Sequence, residues 1–466
     1  MNPIEKPRVV AAGLSIDIYR TSFPDYVERA SRQLDRFLDE IVPFADILSR
    51  KVCLSQDDVT RQTKEAGTSE ADALLLIPLS YTPSLMSVPP LLKTRIPIVI
   101  WNTQEDQIIS ENYNSDTLLM NHVTQGTQDV TNVLLRNGRR FGMESGHYLD
   151  RAALDHLREW LEAAKTLRFA KRLRAGLLGQ PFQDMGDFGF DESFLASHWG
   201  PAIIRLSPGQ LARIIGHVDE KQVSECLARD REQFDVAEEI TEEIHRTSIR
   251  LELGVRQMVA DHGLDAFSMN FLELIEDGRF PTMPFLGINK LLGEGLGYAG
   301  EGNITIAAHM AQMRQLCGAA NFTEIYTVDY ASNRMMMTHM QECNPALARK
   351  DRKVRLVRKD FWAPGMGPYV GMHFTLEPGP ATLTCMTPDA KGNFLYIAHE
   401  TAIRDMAPLP KFDIPHWMVE LNEPAGDFLT RYSMAGGMHH LVSVPGKQVG
   451  ALRKLAHLQG FNFVRL

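Results

Sequence analysis

Short apolar runs alternate with polar, amphipathic stretches through much of the chain. Residues 73–79 (ALLLIPL) and 96–101 (IPIVIW) are apolar on both faces, as strands of a buried parallel sheet are. Residues 25–41 and 56–66 have the spacing of amphipathic helices. This alternation predicts doubly wound α/β layers, in which functional loops lie at the carboxyl ends of the strands.

The alternation restarts after a long charged helix predicted at residues 150–174. Residues 175–178, 201–206 and 266–271 are strand-like, and a long helix is predicted at about residues 237–262. Beyond about residue 350, short alternating segments are separated by PG, EPGP and DAKGN turns, which is typical of an antiparallel sheet or barrel. We therefore predict two α/β domains, at residues 1–168 and 169–320, followed by a β-rich domain at residues 321–466.

Composition excludes several classes of protein. The 466 residues are 44% hydrophobic and 23% charged, which is the profile of a globular protein long enough for more than one core. A net charge of -9 argues against nucleic-acid and anionic-membrane partners. No apolar run reaches the length of about 18 residues needed to span a bilayer. Five dispersed cysteines without a CxxC pair, and no secretory leader pattern, favour a cytoplasmic location.

The stretch richest in candidate functional residues is 296–345. In it, Glu301 and Glu324 lie beside apolar segments in predicted turns, and His339 lies on a predicted helix. Carboxylates and an imidazole that converge suit a divalent metal and proton transfer. Taken singly, each residue has an ordinary structural alternative. Glu301 can be a favourable charge in the first turn of a helix, Glu324 a solvated loop carboxylate, and His339 a packed histidine among methionines.

Two glycine motifs add to this pattern. Residues 295–300 (GLGYAG) match GxGxxG formally, but they follow a predicted helix end instead of a strand, so nucleotide binding is not favoured. The glycines more naturally allow a tight turn that presents Glu301 at a helix start. Residues 435–440 (AGGMHH) place His439 and His440 after a flexible turn, and adjacent side chains point in different directions. At most one of the two is therefore expected to bind a given metal.

Several blocks, in order, resemble the signature segments of the L-arabinose isomerase family. They are LGYAGEGNITIAAHM, NFTEIYT, HMQECNPALA and AGGMHHLV, with LELGVRQMVADHGLDAFSMNFLEL upstream and RLVRKDFWAPGMGPYVGMHFTL in the β-rich region. The resemblance covers most of the chain and is strongest from about residue 250 onward. It implies two Rossmann-like α/β domains followed by a C-terminal antiparallel β-barrel domain.

The resemblance also implies an activity and a site. Family members interconvert an aldose and a ketose, moving a proton between C1 and C2 through a cis-enediol, with a divalent metal, usually Mn²⁺. They are typically homo-oligomers (hexamers built from trimers) with shared active sites. The acid–base pair implied here is Glu301 and Glu324, and His439 is implied as a substrate contact. The implied metal ligands are Glu301, Glu324, His339 and His440.

The N-terminal region departs from the family. A Gln-His pair expected after the first strand is replaced by Leu14-Ser-Ile-Asp17, and an Ala-His-Gly-Gly block is replaced by residues 121–129 (NHVTQGTQD). Ser15, His122, Gln125 or Gln128 are the candidates to contact the sugar in their place. A different or modified aldose is therefore an alternative substrate. A non-catalytic sugar-binding protein and a metal-dependent hydrolase or lyase are the other classes considered.

Overall fold

The structure is a computed structural model that describes residues 4–466, and it divides into two compact units. The smaller unit contains residues 5–168 and 450–461, and the larger is formed mainly by residues 169–449 and 462–466. The first elements of the chain are β1 (Arg8–Leu14), α1 (Ile18–Ser22), α2 (Tyr26–Asp39), β2 (Asp46–Cys53), α3 (Gln56–Thr68), β3 (Ala73–Pro78), α4 (Ser84–Lys93), β4 (Ile98–Asn102), α5 (Ser115–Asn121), α6 (Thr124–Arg136), β5 (Gly142–Ser145) and α7 (Arg151–Ala170).

The smaller unit is built on a five-stranded parallel sheet with the order β2-β1-β3-β4-β5. All six residues of β3 are buried, which confirms the prediction that residues 73–79 form a strand covered on both faces. Helix α2 buries Ala30, Leu34 and Phe37, whose spacing places them on one helical face. The alternation of strands and helices therefore corresponds to a parallel α/β layer.

The larger unit begins with a four-stranded parallel sheet of order β10-β9-β6-β7. A 3-10 turn at Gly186–Phe188 and a π-helical turn at Leu195–Trp199 lie between its first two strands in the chain. Its elements are β6 (Arg174–Leu178), α8 (Glu192–Phe194), β7 (Ala202–Leu206), α9 (Pro208–Ile215), α10 (Glu220–Gln233), β8 (Asp235–Val236), α11 (Glu242–Asp261), β9 (Ala266–Met269), α12 (Phe271–Asp277), α13 (Phe285–Glu294), β10 (Gly297–Gly300) and α14 (Ile304–Cys317).

The remainder of the chain is rich in antiparallel strands. Strand β15 pairs with both β18 and β16, so the order β15-β18-β11-β12-β17-β16 returns to β15, and β19 adds to β16. A second sheet has the order β14-β13-β8. The elements are β11 (Asn321–Asp329), β12 (Arg334–Thr338), β13 (Arg355–Lys359), β14 (Tyr369–His373), β15 (Gly379–Pro388), β16 (Phe394–Ile403), β17 (His416–Glu420), α15 (Ala425–Met434), β18 (His440–Pro445), α16 (Val449–Gln459) and β19 (Asn462–Arg465).

Two local predictions in the richest stretch are wrong. The residues before His339 form strand β12 instead of a helix, with Met335 and Met337 buried and Met336 half-buried. That two-residue period results from pairing with β11 and β17, which overrides the high helix propensity of methionine. Glu324 lies within strand β11 and not in a turn. No helix within residues 4–466 is long and apolar enough to cross a membrane.

Candidate metal centre

Glu301 lies at the carboxyl end of β10, in a tight turn before α14. Its backbone has a φ of 63°, a left-handed conformation that a non-glycine residue adopts rarely. The turn is anchored on both sides, because the Phe182 N–H donates to the Glu301 carbonyl at 2.9 Å and the Gly302 N–H donates to the Met269 carbonyl. The predicted tight turn before a helix is therefore confirmed, and it places a carboxylate at the edge of the parallel sheet where α/β proteins place functional groups.

The register of the antiparallel sheet places three further side chains beside one another. Glu324 on β11 pairs with His440 on β18 and, on its other side, with Thr338 on β12. His339 follows Thr338 directly. Directly opposed residues on antiparallel strands lie about 5 Å apart at their Cβ atoms, which is close enough to share a ligand. Strand pairing, and not proximity in sequence, therefore assembles this part of the site.

The polar atoms of these residues converge with those of Glu301. His440 Nε2 lies 3.1 Å from Glu324 Oε1 and 3.8 Å from Glu301 Oε2. His339 Nε2 lies 3.8 Å from Glu324 Oε1 and 4.0 Å from Glu301 Oε1. The two imidazoles are almost completely buried, whereas the carboxylates retain 14% and 18% of their side-chain exposure. Two carboxylates and two imidazoles thus face a common space that solvent still reaches.

A buried carboxylate fixes the orientation of His339. Glu342 Oε2 accepts a hydrogen bond from His339 Nδ1 at 2.6 Å and from the Gln341 N–H at 3.1 Å. Glu342 Oε1 accepts from the Tyr298 hydroxyl at 3.3 Å. Burial opposes charge on His339, but the carboxylates of Glu342, Glu324 and Glu301 together outweigh it and raise the pKa of His339 to about 9. With Nδ1–H held by Glu342, the Nε2 atom faces Glu301 and Glu324, which is the arrangement of a carboxylate–histidine–metal triad.

His440 is held by an amide instead. The Asn303 Oδ1 atom caps helix α14 by accepting from the Ile306 N–H at 3.1 Å, so its Nδ2 group faces His440 Nδ1 at 3.1 Å. Nδ1 is therefore an acceptor, and the neutral ring carries its proton on Nε2. Burial, together with repulsion from His339 and His439, holds the pKa of His440 well below its ordinary value. Ligation through His440 Nε2 then requires the Asn303 amide to turn over and give up its cap, worth about 1 kcal/mol.

His439 approaches the same space from another direction. Its Nδ1–H donates to Asp187 Oδ2 at 2.6 Å, and its Nε2 lies 4.0 Å from Glu301 Oε2 and 3.8 Å from Glu324 Oε1. Burial opposes charge on His439, but the carboxylates of Asp187, Glu301 and Glu324 together outweigh it and raise the pKa of His439 to about 9. Burial also raises the pKa of Glu324. His439 is about one-third exposed, so it borders the opening of the site.

The donor set fits a divalent cation. The Nε2 atoms of His439 and His440 are buried and make no hydrogen bond, although carboxylate oxygens lie within 4 Å. Buried polar atoms without partners require an explanation, and a bound ion supplies one. The donor atoms fall into two overlapping groups, each within 4.8 Å, one of Glu301, His439 and His440 and the other of Glu324, His339 and His440. Mixed carboxylate and imidazole ligands suit Mn²⁺, Fe²⁺, Co²⁺ or Zn²⁺.

The remaining predicted site residues lie in the smaller unit. Ser15 is buried and its hydroxyl is hydrogen-bonded to the Tyr26 hydroxyl. His122 is half-buried, and its ring stacks on Tyr81 at 5.6 Å. Gln125 is exposed in the first turn of α6. Their role in contacting a sugar stays a prediction.

Sequence reasoning missed three residues that touch the ligand candidates. Glu342 follows His339 by three positions, a spacing that could have been noticed. Asn303 follows Glu301 by two positions, but nothing in the sequence indicates its bond to His440. Asp187 lies among the glycines and aspartates of residues 183–191, and no sequence signal connects it to His439, 252 positions away.

Comparison with known proteins identifies the class of the chain. Residues 196–319 match the L-arabinose isomerase central domain, and residues 319–462 match the L-arabinose isomerase C-terminal domain. An L-arabinose isomerase from Mycolicibacterium smegmatis is 24% identical, over 97% of this chain and 92% of that protein. One from Nocardioides sp. is 23% identical, over 90% and 85% respectively.

Among solved structures, a periplasmic solute-binding protein from Actinobacillus succinogenes with bound D-allose matches at a TM-score of 0.15, which is too low to support an argument about fold or function. That match has 12% identity over 66% of this chain and 92% of the other.

The two domain matches lie side by side and together span more than half of the chain, including all five glutamates and histidines that meet at the site. The domain matches and the relatives named above define an aldose–ketose isomerase. The chain belongs to the L-arabinose isomerase family.

Proposed function

We propose that the chain is a metal-dependent aldose–ketose isomerase that moves a proton between C1 and C2 of an open-chain sugar through a cis-enediol. The observation that carries this proposal is the convergence of Glu301, Glu324, His339 and His440 from four separate segments within a family of isomerases. A receptor that only binds sugar has no evident use for two histidines whose Nε2 atoms are buried without a hydrogen bond. The alternative of a non-catalytic sugar-binding protein is therefore less well supported.

The four converging side chains have two roles, metal binding and proton transfer. Glu301, Glu324, His339 and His440 hold the cation, for which we propose Mn²⁺. When bound, the cation supplies Lewis-acid polarisation of the sugar carbonyl. One of the two glutamates takes the carbon-bound proton from one carbon and returns it to the other, and the second moves the proton between the two oxygens. General acid–base groups of this kind each contribute about 10²- to 10⁴-fold to the rate.

The substrate is proposed to be an aldose related to L-arabinose, with a different or modified aldose as the alternative. The departures at Ser15, His122 and Gln125 favour this alternative, because in the family the corresponding positions contact the sugar. His439 is proposed as a further contact. Its Nε2 atom lies within 4 Å of both catalytic carboxylates, and its side chain as a whole is 35% exposed.

Assembly, location and the finer fold are also proposed from the family. We propose a cytoplasmic homo-oligomer, a hexamer or a trimer, with active sites shared between subunits. Exposed apolar side chains such as Ile108 and Ile109 are consistent with subunit contacts. We propose that the α/β layers are Rossmann-like and that the six-stranded pairing through β15 and β16 is a barrel, since each of its strands has a neighbour on both sides.

The test is ketose formation by protein stripped with a chelator, assayed colorimetrically across a panel of pentoses and hexoses with and without Mn²⁺. Glu301→Gln and Glu324→Gln are expected to lower turnover by about 10²-fold or more while leaving the folded state intact. Glu276→Gln is a matched control, because Glu276 is an exposed glutamate of α12 in the same unit.

Two results would contradict the proposal. One is full activity in both the Glu301 and Glu324 variants. The other is no conversion of any aldose, together with a melting temperature that Mn²⁺ does not change.

A further inference from the structure

The turn at Gly186–Phe188 holds His439 by two hydrogen bonds to one carboxylate. Asp187 Oδ2 accepts from His439 Nδ1–H at 2.6 Å and from the His439 backbone N–H at 3.3 Å. Two bonds to neighbouring donors of one residue restrict both the side-chain torsions and the local backbone. A charged acceptor makes such bonds stronger than neutral ones. The imidazole therefore has a defined orientation before any ligand arrives.

Phe188 supports the same histidine from its face. Its side chain is 1% exposed, and its ring centroid lies 4.9 Å from that of His439. It lies 4.9 Å from the ring of His440 as well, with the planes 21° apart. A single turn from the segment between β6 and β7 thus packs against both members of the histidine pair at the start of β18.

The consequence is that His439 Nε2 faces the site and has no partner. It lies 3.8 Å from Glu324 Oε1 and 4.0 Å from Glu301 Oε2, without hydrogen-bond geometry to either. The side chain of His439 is nevertheless 35% exposed, so the residue borders the opening of the site although its Nε2 atom is buried. Rotation of the ring by half a turn would break the Asp187 bond and place a carbon where Nε2 now lies.

We propose that Asp187 is a positioning residue for the sugar. Asp187 holds His439 so that the Nε2 atom of His439 contacts a sugar oxygen next to the cation. Asp187 itself contacts neither the sugar nor the cation. This inference rests on the proposed function, and it assigns the turn at residues 186–188 to substrate binding and turnover instead of metal affinity. It also gives His439 a role distinct from that of its neighbour His440.

The test compares Asp187→Ala, Asp187→Asn, His439→Gln and the double variant Asp187→Ala/His439→Gln in the full-length protein. Asp191→Ser is the matched control, because Asp191 lies in the same segment, caps α8 and does not contact His439. Three quantities are measured for each protein. They are the Mn²⁺ dissociation constant by calorimetry, the dissociation constant of L-arabinitol for the Mn²⁺-loaded protein, and kcat and KM for the best aldose.

Loss of Asp187 is expected to lower kcat/KM and to weaken L-arabinitol binding by about 10- to 100-fold, the fold-change that corresponds to the loss of one hydrogen bond to a charged group. The Mn²⁺ dissociation constant is expected to stay within about twofold. Asp187→Asn should recover part of the loss, since its oxygen still accepts the Nδ1–H. The double variant should be no worse than His439→Gln alone, because a residue that acts only through His439 adds nothing once that ring is gone.

Three results would overturn the inference. One is a double variant whose loss of kcat/KM equals the product of the losses in the two single variants. Another is a loss of Mn²⁺ affinity in Asp187→Ala as large as its loss of kcat/KM. The third is an unchanged Asp187→Ala variant in a protein whose wild type forms ketose, which refutes the inference and leaves the proposed function standing. A wild type that forms no ketose refutes both.

Discussion

Glu342→Gln is the substitution that best tests how the site prepares a metal ligand. The Glu342 side chain is 4% exposed and accepts hydrogen bonds from His339 Nδ1, the Gln341 N–H and the Tyr298 hydroxyl. Glutamine preserves the shape and can still accept from His339 through its amide oxygen. The Tyr298 hydroxyl can rotate to accept from the new amide. What the substitution removes is therefore the negative charge behind His339.

The size of the effect follows from the strength of that one bond. A hydrogen bond to a charged group contributes about 1.5–3 kcal/mol and a neutral one about 0.5–1.5 kcal/mol, so the difference is about 1–1.5 kcal/mol. A difference of about 1.4 kcal/mol corresponds to a tenfold change in a dissociation constant. We therefore expect the Mn²⁺ dissociation constant to rise about tenfold in Glu342→Gln. In Glu342→Ala, where His339 Nδ1–H loses its acceptor altogether, we expect a rise near 100-fold.

The assay is calorimetric titration of chelator-stripped protein with Mn²⁺ at constant pH, with circular dichroism to confirm folding. Glu276→Gln serves again as the control for loss of a glutamate charge in the same unit. Unchanged Mn²⁺ affinity in Glu342→Ala, in a preparation where Glu301→Gln abolishes binding, would refute the reasoning. That outcome would mean that His339 either keeps its orientation without Glu342 or does not bind the metal.

Three further substitutions have defined outcomes. Gly300→Ala places a Cβ atom 2.9 Å from His339 Cε1, so the buried ring must shift, and Mn²⁺ affinity should fall about tenfold by calorimetry while the far-ultraviolet spectrum is retained. Asn303→Asp replaces the donor at His440 Nδ1 with an acceptor, so the proton of the neutral ring moves to Nδ1 and Nε2 is free to bind the metal. The Mn²⁺ affinity should therefore rise. Weaker binding would contradict the assignment of the His440 proton to Nε2. Lys290→Met removes the ammonium that bridges the carboxylates of Asp230 and Glu252 at 2.6 Å. Because His245 still contacts Asp230 and Arg256 still contacts Glu252, the fold should be destabilised by about 1.5–3 kcal/mol in denaturant titrations. An unchanged unfolding midpoint would show that these two partners compensate fully for the loss of Lys290.

The parallel α/β layers were predictable because their signal is local. A strand such as β3 that is buried on both faces must be apolar throughout, and a helix such as α2 must carry its apolar residues on one face. Both patterns can be read without knowing what packs against them. The stretch from Met335 to Met337 was misassigned because methionine fits a helix and a strand alike, and only pairing with β11 and β17 decides between them.

Local sequence patterns predict the layered α/β organisation and the β-rich end of the chain. The resemblance to a family adds the candidates Glu301, Glu324, His339 and His440. The folded structure was needed to show that these side chains meet, because strand register and a left-handed turn bring together residues far apart in the chain. It also decided the partners Asp187 and Glu342, since hydrogen bonds between side chains depend on packing and leave no periodic pattern. The residue types that can bind a metal or transfer a proton are visible in the sequence. The hydrogen bonds and packing contacts that orient their side chains exist only in the folded protein.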